Sequence, residues 1–265
     1  MTQLGLPRPG KALTGLMLAI AGLWLMFAVG LNWGGAPSSV FYALTGDTRA
    51  ILHGELWRLV TAPLIHAPGD VGHLVAVILG LYFLGSSLEG HWGGARFLRF
   101  VGFSALGGFV LQMLVELALP ASVATRLVGA HWYGLMPAVD AIAIAWALSF
   151  RGQVVRLFMV LPVTSGVLIV IVIGYNVAQL VLGEQQEAGL VAPFGAMLFG
   201  WLLGGSTPSP LRKAWLRLRL AQLDTEARRD SARRKRRNPG GLRVIPGGRA
   251  DDDDDGKGPD GRWLN

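Results

Sequence analysis

Six stretches of this chain are apolar over lengths that suit a lipid bilayer: Leu13–Leu31, Val71–Leu88, Phe97–Leu119, Leu127–Phe150, Val167–Leu182 and Gly189–Gly204. Runs of this kind read as membrane-crossing helices, and they dominate everything else the chain can do. The expected fold is therefore an all-α integral membrane bundle of six transmembrane helices. The fifth and sixth runs are short, and the fourth is interrupted by Pro137 and Asp140. A content of 52% hydrophobic and 15% charged residues does not suit a soluble domain of 265 residues. The 37 glycines and nine tryptophans fit helices packed closely in lipid with aromatic side chains at the interfaces. There is no cysteine, which excludes a disulfide framework and a thiolate metal site. The first run follows Arg8 and Lys11 as a signal peptide would, but it is longer than a secretory core and lacks a small-residue cleavage site before Trp33. A retained anchor is expected.

Charges in the connections set the orientation. Alternate segments hold Arg8 and Lys11, then Arg96 and Arg99, then Arg151 and Arg156, then a cluster from Arg212. The opposite set holds Arg49 and Arg58 in a long first loop, Arg126 alone, and a fifth loop with Glu184 and Glu187 but no basic residue. Positive charge stays on the cytoplasmic side, so both termini are expected there. The chain divides into residues 1–11 as a cytoplasmic N-terminus, 12–205 as the membrane domain and 206–265 as a cytoplasmic tail.

The tail is of a different character. It carries 15 of the 24 basic and nine of the 17 acidic residues, hence +6 of the net +7. Leu211, Trp215, Leu218 and Gln222, with Leu216, Leu220, Leu223 and Ala227, form two stripes at helical spacing on a helix also bearing Arg212, Lys213, Arg217 and Arg219. Such a helix lies on a membrane surface, attracted by anionic lipid at about 1 kcal/mol per basic residue. The run Arg233–Arg237 also suits nucleic-acid phosphates, but beside a membrane exit lipid is the favoured partner. Beyond it, Asn238–Gly241 and the five aspartates Asp251–Asp255 bury too little apolar surface to fold, and Trp263 near the end reads as a short docking peptide at most.

Several motifs recur in a fixed order. Trp57-Arg58 stands in the first loop, followed by Leu59-Val60-Thr61; His73-Leu74 opens the second run, with Leu81, Gly85 and Glu89 downstream. Val128-Gly-Ala-His131-Trp-Tyr-Gly-Leu135 occupies the fourth, and Ala192-Pro193-Phe194-Gly195-Ala196 precedes Gly200 and Gly204 in the sixth. The small residues Ala196, Gly200 and Gly204 recur every fourth position, as close helix packing in lipid requires. In order and spacing this set resembles the rhomboid family of intramembrane serine proteases, over about residues 12–205. The resemblance implies six helices with both ends inside, as in the minimal bacterial members, and so a bacterial inner or plasma membrane. It also implies a first loop ordered around Trp57 and Arg58, and a bracing role for Glu89.

The same resemblance identifies what is missing. The family's serine falls at His131, or at Gly129 if the alignment is anchored two residues later on Tyr133-Gly134-Leu135; the histidine base falls at Pro193, and the oxyanion asparagine at Val77. His73 alone of the four groups is kept. Serine-type hydrolysis needs a nucleophile, a base within hydrogen-bond reach and oxyanion donors, and none of these positions supplies the first two. No cofactor and no metal site is expected. His131 with His73 offers two imidazoles, but Asp140, nine residues further along the expected helix, would lie about 13 Å away along its axis. Asp140 reads as an interior polar group partnered by Gln112 or Glu116, or by Asn176 or Gln179. Three functions remain in view. The favoured one is a proteolytically inactive rhomboid-like protein that binds transmembrane segments of client proteins. The others are an active intramembrane serine endopeptidase, and a metal or small-solute handler using His73, His131 and Asp140.

Overall fold

The computed structural model describes residues 7–157, 161–183, 187–204 and 210–237. Glu184, the Asn238–Gly241 segment, the Asp251–Asp255 run and Trp263 lie outside them. Helix α1 (Lys11–Asn32) buries Leu13, Ile20 and Phe27, three residues at seven-residue spacing that make one narrow stripe. The long first loop folds into short helices α2 (Ser38–Tyr42), α3 (Thr48–Leu52) and α4 (Arg58–Thr61), followed by a tight turn at Ala62–Leu64. Helices α5 (Val71–Gly80) and α6 (Ser86–Trp92) are joined through a wide turn at Leu81–Gly85 into one rod. Helix α7 (Gly94–Ala118) follows Gly93, whose φ of 82° permits the reversal. Then come α8 (Ala121–Leu127), α9 (Met136–Ser149), strands β1 (Val154–Leu157) and β2 (Leu161–Thr164), α10 (Ser165–Leu182), α11 (Ala192–Gly204) and α12 (Pro210–Arg237).

Four helical rods among the described residues are long and apolar enough to cross a membrane: Lys11–Asn32, Val71–Trp92, Gly94–Ala118 and Ser165–Leu182. The other two expected spans are apolar but shorter, Met136–Ser149 and Ala192–Gly204. At about 1.5 Å per residue, helices of 14 and 13 residues rise only about 21 and 20 Å. The fourth run thus departs from the helix expected over Leu127–Phe150. Residues 128–135 are not helical, and α9 starts only at Met136, with Pro137 in its first turn, where a proline's missing donor costs nothing. Pro193 sits likewise in the first turn of α11. Pro162 lies in β2, which pairs antiparallel with β1 between α9 and α10.

Helix α9 is the centre of the bundle, with every residue from Pro137 to Ala147 buried. Its backbone meets α11 through glycines: a methyl group at Gly200 would stand 2.6 Å from the Ala141 carbonyl oxygen, and one at Gly204 would overlap Ala145. On the other side of α11, methyls at Gly195 and Gly108 would meet the carbonyl oxygens of Gly107 at 2.8 Å and Ala192 at 2.6 Å. A carboxylate ties α1 to α6. Glu89 accepts from the backbone N–H groups of Gly10, Ala12 and Leu13 at 2.8, 3.0 and 3.3 Å, capping donors that the start of a helix leaves unpaired.

The chain separates into two compact units, Met1–Ala214 and Trp215–Asn265. Within the second, Trp215, Leu216, Leu218, Leu220 and Leu223 are exposed.

Gly200→Val is expected to force α9 and α11 apart. A loss of about 1–3 kcal/mol, read as a lower Tm of the detergent-solubilised protein, checks it against Gly22→Val, where a side chain meets open space.

Candidate functional site

The segment 128–135 is extended because its backbone groups are taken by neighbours on both sides rather than by a helix of its own. Gly46 and Trp132 exchange backbone hydrogen bonds, at 2.7 and 3.0 Å. Gly134 donates to the Ala62 carbonyl at 2.9 Å, Tyr133 donates to the Glu187 carbonyl at 2.9 Å, and Leu190 donates to the Leu127 carbonyl at 3.1 Å. Leu135 donates to the His66 ring at 3.4 Å. Gly134 has φ +100°, a conformation that favours glycine. The first loop and the segment from Glu187 to Leu190 thus grip this strip from two sides.

The first loop is held by Arg58. Its guanidinium donates to the carbonyls of Tyr42 at 2.5 Å and Thr45 at 2.8 Å, and pairs with Glu55 at 2.6 Å. Trp57 donates its indole N–H to the Ala43 carbonyl at 3.2 Å, and Thr61 its hydroxyl to the Leu44 carbonyl at 2.7 Å. A buried arginine spread over several carbonyls fixes loop geometry that a single-point ammonium would not.

At the strip's centre, Trp132 is fully buried in a cluster with Ile51, Ala62, Phe109, Val128, Ala188 and Ala192. Its ring lies 4.6 Å from that of Phe109, and Gly46 beneath it leaves no room for even a methyl group. His131 turns to the first loop, its ring 4.7 Å from Tyr42 and tilted by 33°, with Nδ1 buried and unpartnered. Gly129 lies on the same strip and has no side chain to offer. Pro193 is buried beside Ala192 at the start of α11, and Val77 is fully buried in the main core with Leu74 and Leu81.

His73 joins a polar group that the sequence reading did not assemble. Its Nε2 lies 3.7 Å from a Glu187 carboxylate oxygen, too far for a direct hydrogen bond, and both atoms are buried without partners. The ring of His66 stands 5.6 Å from that of His73, and Asp70 caps α5 by accepting from the His73 N–H at 2.9 Å. His66 accepts at Nε2 from Leu135, which assigns its proton to Nδ1, facing the Leu64 carbonyl at 3.4 Å. Burial, with help from His73, lowers the His66 pKa from 6.5 to about 4. Burial and the nearby Asp70 charge raise Glu187 from 4.5 to about 7, against a backbone bond from Ala67. Among the described residues, no three His, Asp or Glu side chains are placed to hold a metal ion.

Asp140 is buried, and of its four expected partners only Asn176 meets it, donating at 3.1 Å. Gln112 instead accepts from the Ala192 N–H at 3.2 Å, Glu116 accepts from the Thr48 hydroxyl, and Gln179 donates to the Tyr175 hydroxyl at 3.2 Å. The axial distance expected between His131 and Asp140 does not apply, because the helix that carries Asp140 starts only at Met136 and residues 131–135 are extended.

The two shifted loop groups act in opposite directions on stability. Glu187, raised, contributes stability that is present below pH 4.5 and lost as pH climbs through about 7. His66, lowered, contributes stability that is present above 6.5 and lost as pH falls through about 4. Glu187→Gln, which keeps the neutral shape, should therefore raise the Tm at pH 8 by several degrees and leave it unchanged near pH 4. Thermal unfolding in detergent across that range checks this.

A family model of the rhomboid domain matches residues 53–207. RHOMBOID-like protein 12, mitochondrial, of Arabidopsis thaliana is 26% identical over 213 residues, which are 77% of this chain. The chain spans 57% of the length of that curated relative.

Proposed function

The chain belongs to the rhomboid family, and from that premise we propose that it is a proteolytically inactive member that binds transmembrane segments of other membrane proteins instead of cutting them. The observation that carries this reading is the state of the site. Neither His131 nor Gly129 supplies a hydroxyl, Pro193 cannot accept a proton, and the buried Trp132 ring fills the space between the first loop and the start of α11. Among the described residues no serine hydroxyl is hydrogen-bonded to a histidine: Ser86 donates to the Tyr82 carbonyl, Ser149 to the Gly204 carbonyl, and Ser165 accepts from the Gly152 N–H. Losing either member of such a dyad removes nearly all of the activity, and losing both leaves no route of this type.

The same reading takes α9 and α11 as crossings, which with the four longer rods makes six. The loop charges then support both termini on the cytoplasmic side, and the likeness to the minimal bacterial members favours a bacterial plasma membrane. The mitochondrial name of the Arabidopsis relative makes a mitochondrial membrane the second candidate compartment. The exposed Trp215, Leu218 and Leu223 of α12, among basic residues, support contact with anionic lipid headgroups.

Photo-crosslinking from the lipid-facing sides of α5 and α10 in native membranes is expected to recover single-pass or multi-pass membrane proteins. Recovery of lipid alone would refute the binding role. A fluorophosphonate probe should leave the protein unlabelled, and a reporter helix should stay intact. The double change Pro193→His with either His131→Ser or Gly129→Ser is expected to restore no efficient cleavage, since Val77 offers no oxyanion donor and Trp132 stays in place. Cleaved reporter at the rate of an active relative would overturn the reading.

A further inference from the structure

Between the rod of α5 and its wide turn, α9 and α10, the bundle leaves an open groove of about 280 Å³. Gly80, Phe83, Val139, Leu168 and Val172 contribute to its apolar walls, and Asp140 is the one carboxylate on its lining. Gly80 is needed there, since a methyl group on it would overlap the Val139 side chain.

A carboxylate at membrane depth is costly unless a donor or a cation meets it. Asn176 supplies one hydrogen bond and is itself committed to the Val172 carbonyl at 2.9 Å through the same nitrogen. No lysine or arginine occurs anywhere on α5, its wide turn, α9 or α10. Among the described residues Asp140 therefore has no counter-ion, and it stands on the wall of a groove open to the outside. An acyl chain could cover the leucine and valine walls but has nothing to give Asp140. A helix can do both.

We propose that this groove selects transmembrane helices carrying a basic residue near mid-span, with the incoming ammonium or guanidinium paired to Asp140 and the rest of the helix lying on the apolar walls. This rests on the binding role proposed above and names the chemistry of its partner. The Asp140–Asn176 pair acts as the selecting element: Asn176 holds one oxygen of a carboxylate that lines the groove. A hydroxyl or amide donor would be accepted more weakly than a cation, and a wholly apolar helix would be held by packing alone.

The test uses the full-length protein in phosphatidylcholine vesicles with dye-labelled polyleucine transmembrane peptides, binding being read by energy transfer. One peptide is wholly apolar. The others carry a single lysine, scanned over one helical turn about the depth of Asp140. The best lysine peptide is expected to bind about three- to thirtyfold more tightly than the apolar one, the range that polar contacts between helices reach in lipid. Asp140→Asn should reduce the preference for the lysine peptide over the apolar one, and Asp140→Leu should abolish it. Asn176→Leu, which leaves the carboxylate in place, should keep part of the preference and so controls for misfolding of the Asp140 variants. Equal binding of lysine and apolar peptides overturns the selectivity while leaving the binding role intact. A preference unchanged in both Asp140 variants overturns it as well. If no peptide binds at all, the binding role itself falls and the inference with it.

Discussion

Contact of backbone against backbone between α11 and its two neighbours, α9 and α7, is the constraint on which the rest of this bundle depends. In lipid there is no hydrophobic drive to press one helix onto another, so dispersion between closely approaching surfaces must hold them together. Gly200 and Gly204 allow that approach toward Ala141 and Ala145, and Gly108 and Gly195 allow it on the other side. With α9 enclosed from Pro137 to Ala147, its polar residue Asp140 is held in one place, and the strip that enters it from residue 128 has its endpoint fixed.

That strip is possible because other segments complete its hydrogen bonding. Irregular backbone at membrane depth is tolerated only where protein or water satisfies it. Here Gly46, Ala62 and His66 do so from the first loop, and Glu187 does so from the connection before α11. Arg58 holds the first loop to the shape this requires. The order of dependence runs from helix packing to the strip, and from the strip to the exposure or burial of each side chain on it.

Much of this was legible in the sequence. The apolar runs gave the rods Lys11–Asn32, Val71–Trp92, Gly94–Ala118 and Ser165–Leu182 within a few residues, because helix period and length are local properties. The fourth run misled. Leu127 to Phe150 is apolar throughout, yet hydropathy cannot register that Gly134 takes a positive φ or that Gly46 and Trp132 pair over 86 positions of chain. Trp132 read as one tryptophan among nine and is instead a buried plug, a role decided by the glycine opposite. The His66–His73–Glu187 group was illegible for the same reason. Its members come from the first loop, the first turn of α5 and the connection before α11, and only their juxtaposition makes them a site. The seven-residue spacing of His66 and His73 was the one available hint. For Asp140, sequence narrowed the partner to four residues, and the fold chose Asn176, which α10 places within reach of it while Gln179, one turn on, meets Tyr175.

The brevity of α11 has a consequence for the surrounding bilayer. Leu198 and Trp201 are each half exposed on a helix that rises about 20 Å, against a hydrocarbon thickness of about 30 Å. If α11 is a crossing, as proposed above, lipids bordering this face must shorten or tilt their tails to avoid leaving polar helix ends in oil, at a cost of fractions of a kcal/mol per ångström of mismatch. The four longer rods impose no such deformation. On that reading the protein carries a lopsided annulus, thin beside α11 and normal beside the longer rods. Such an annulus favours thinner membranes and draws toward its thin flank other helices that are themselves too short for the bilayer they occupy.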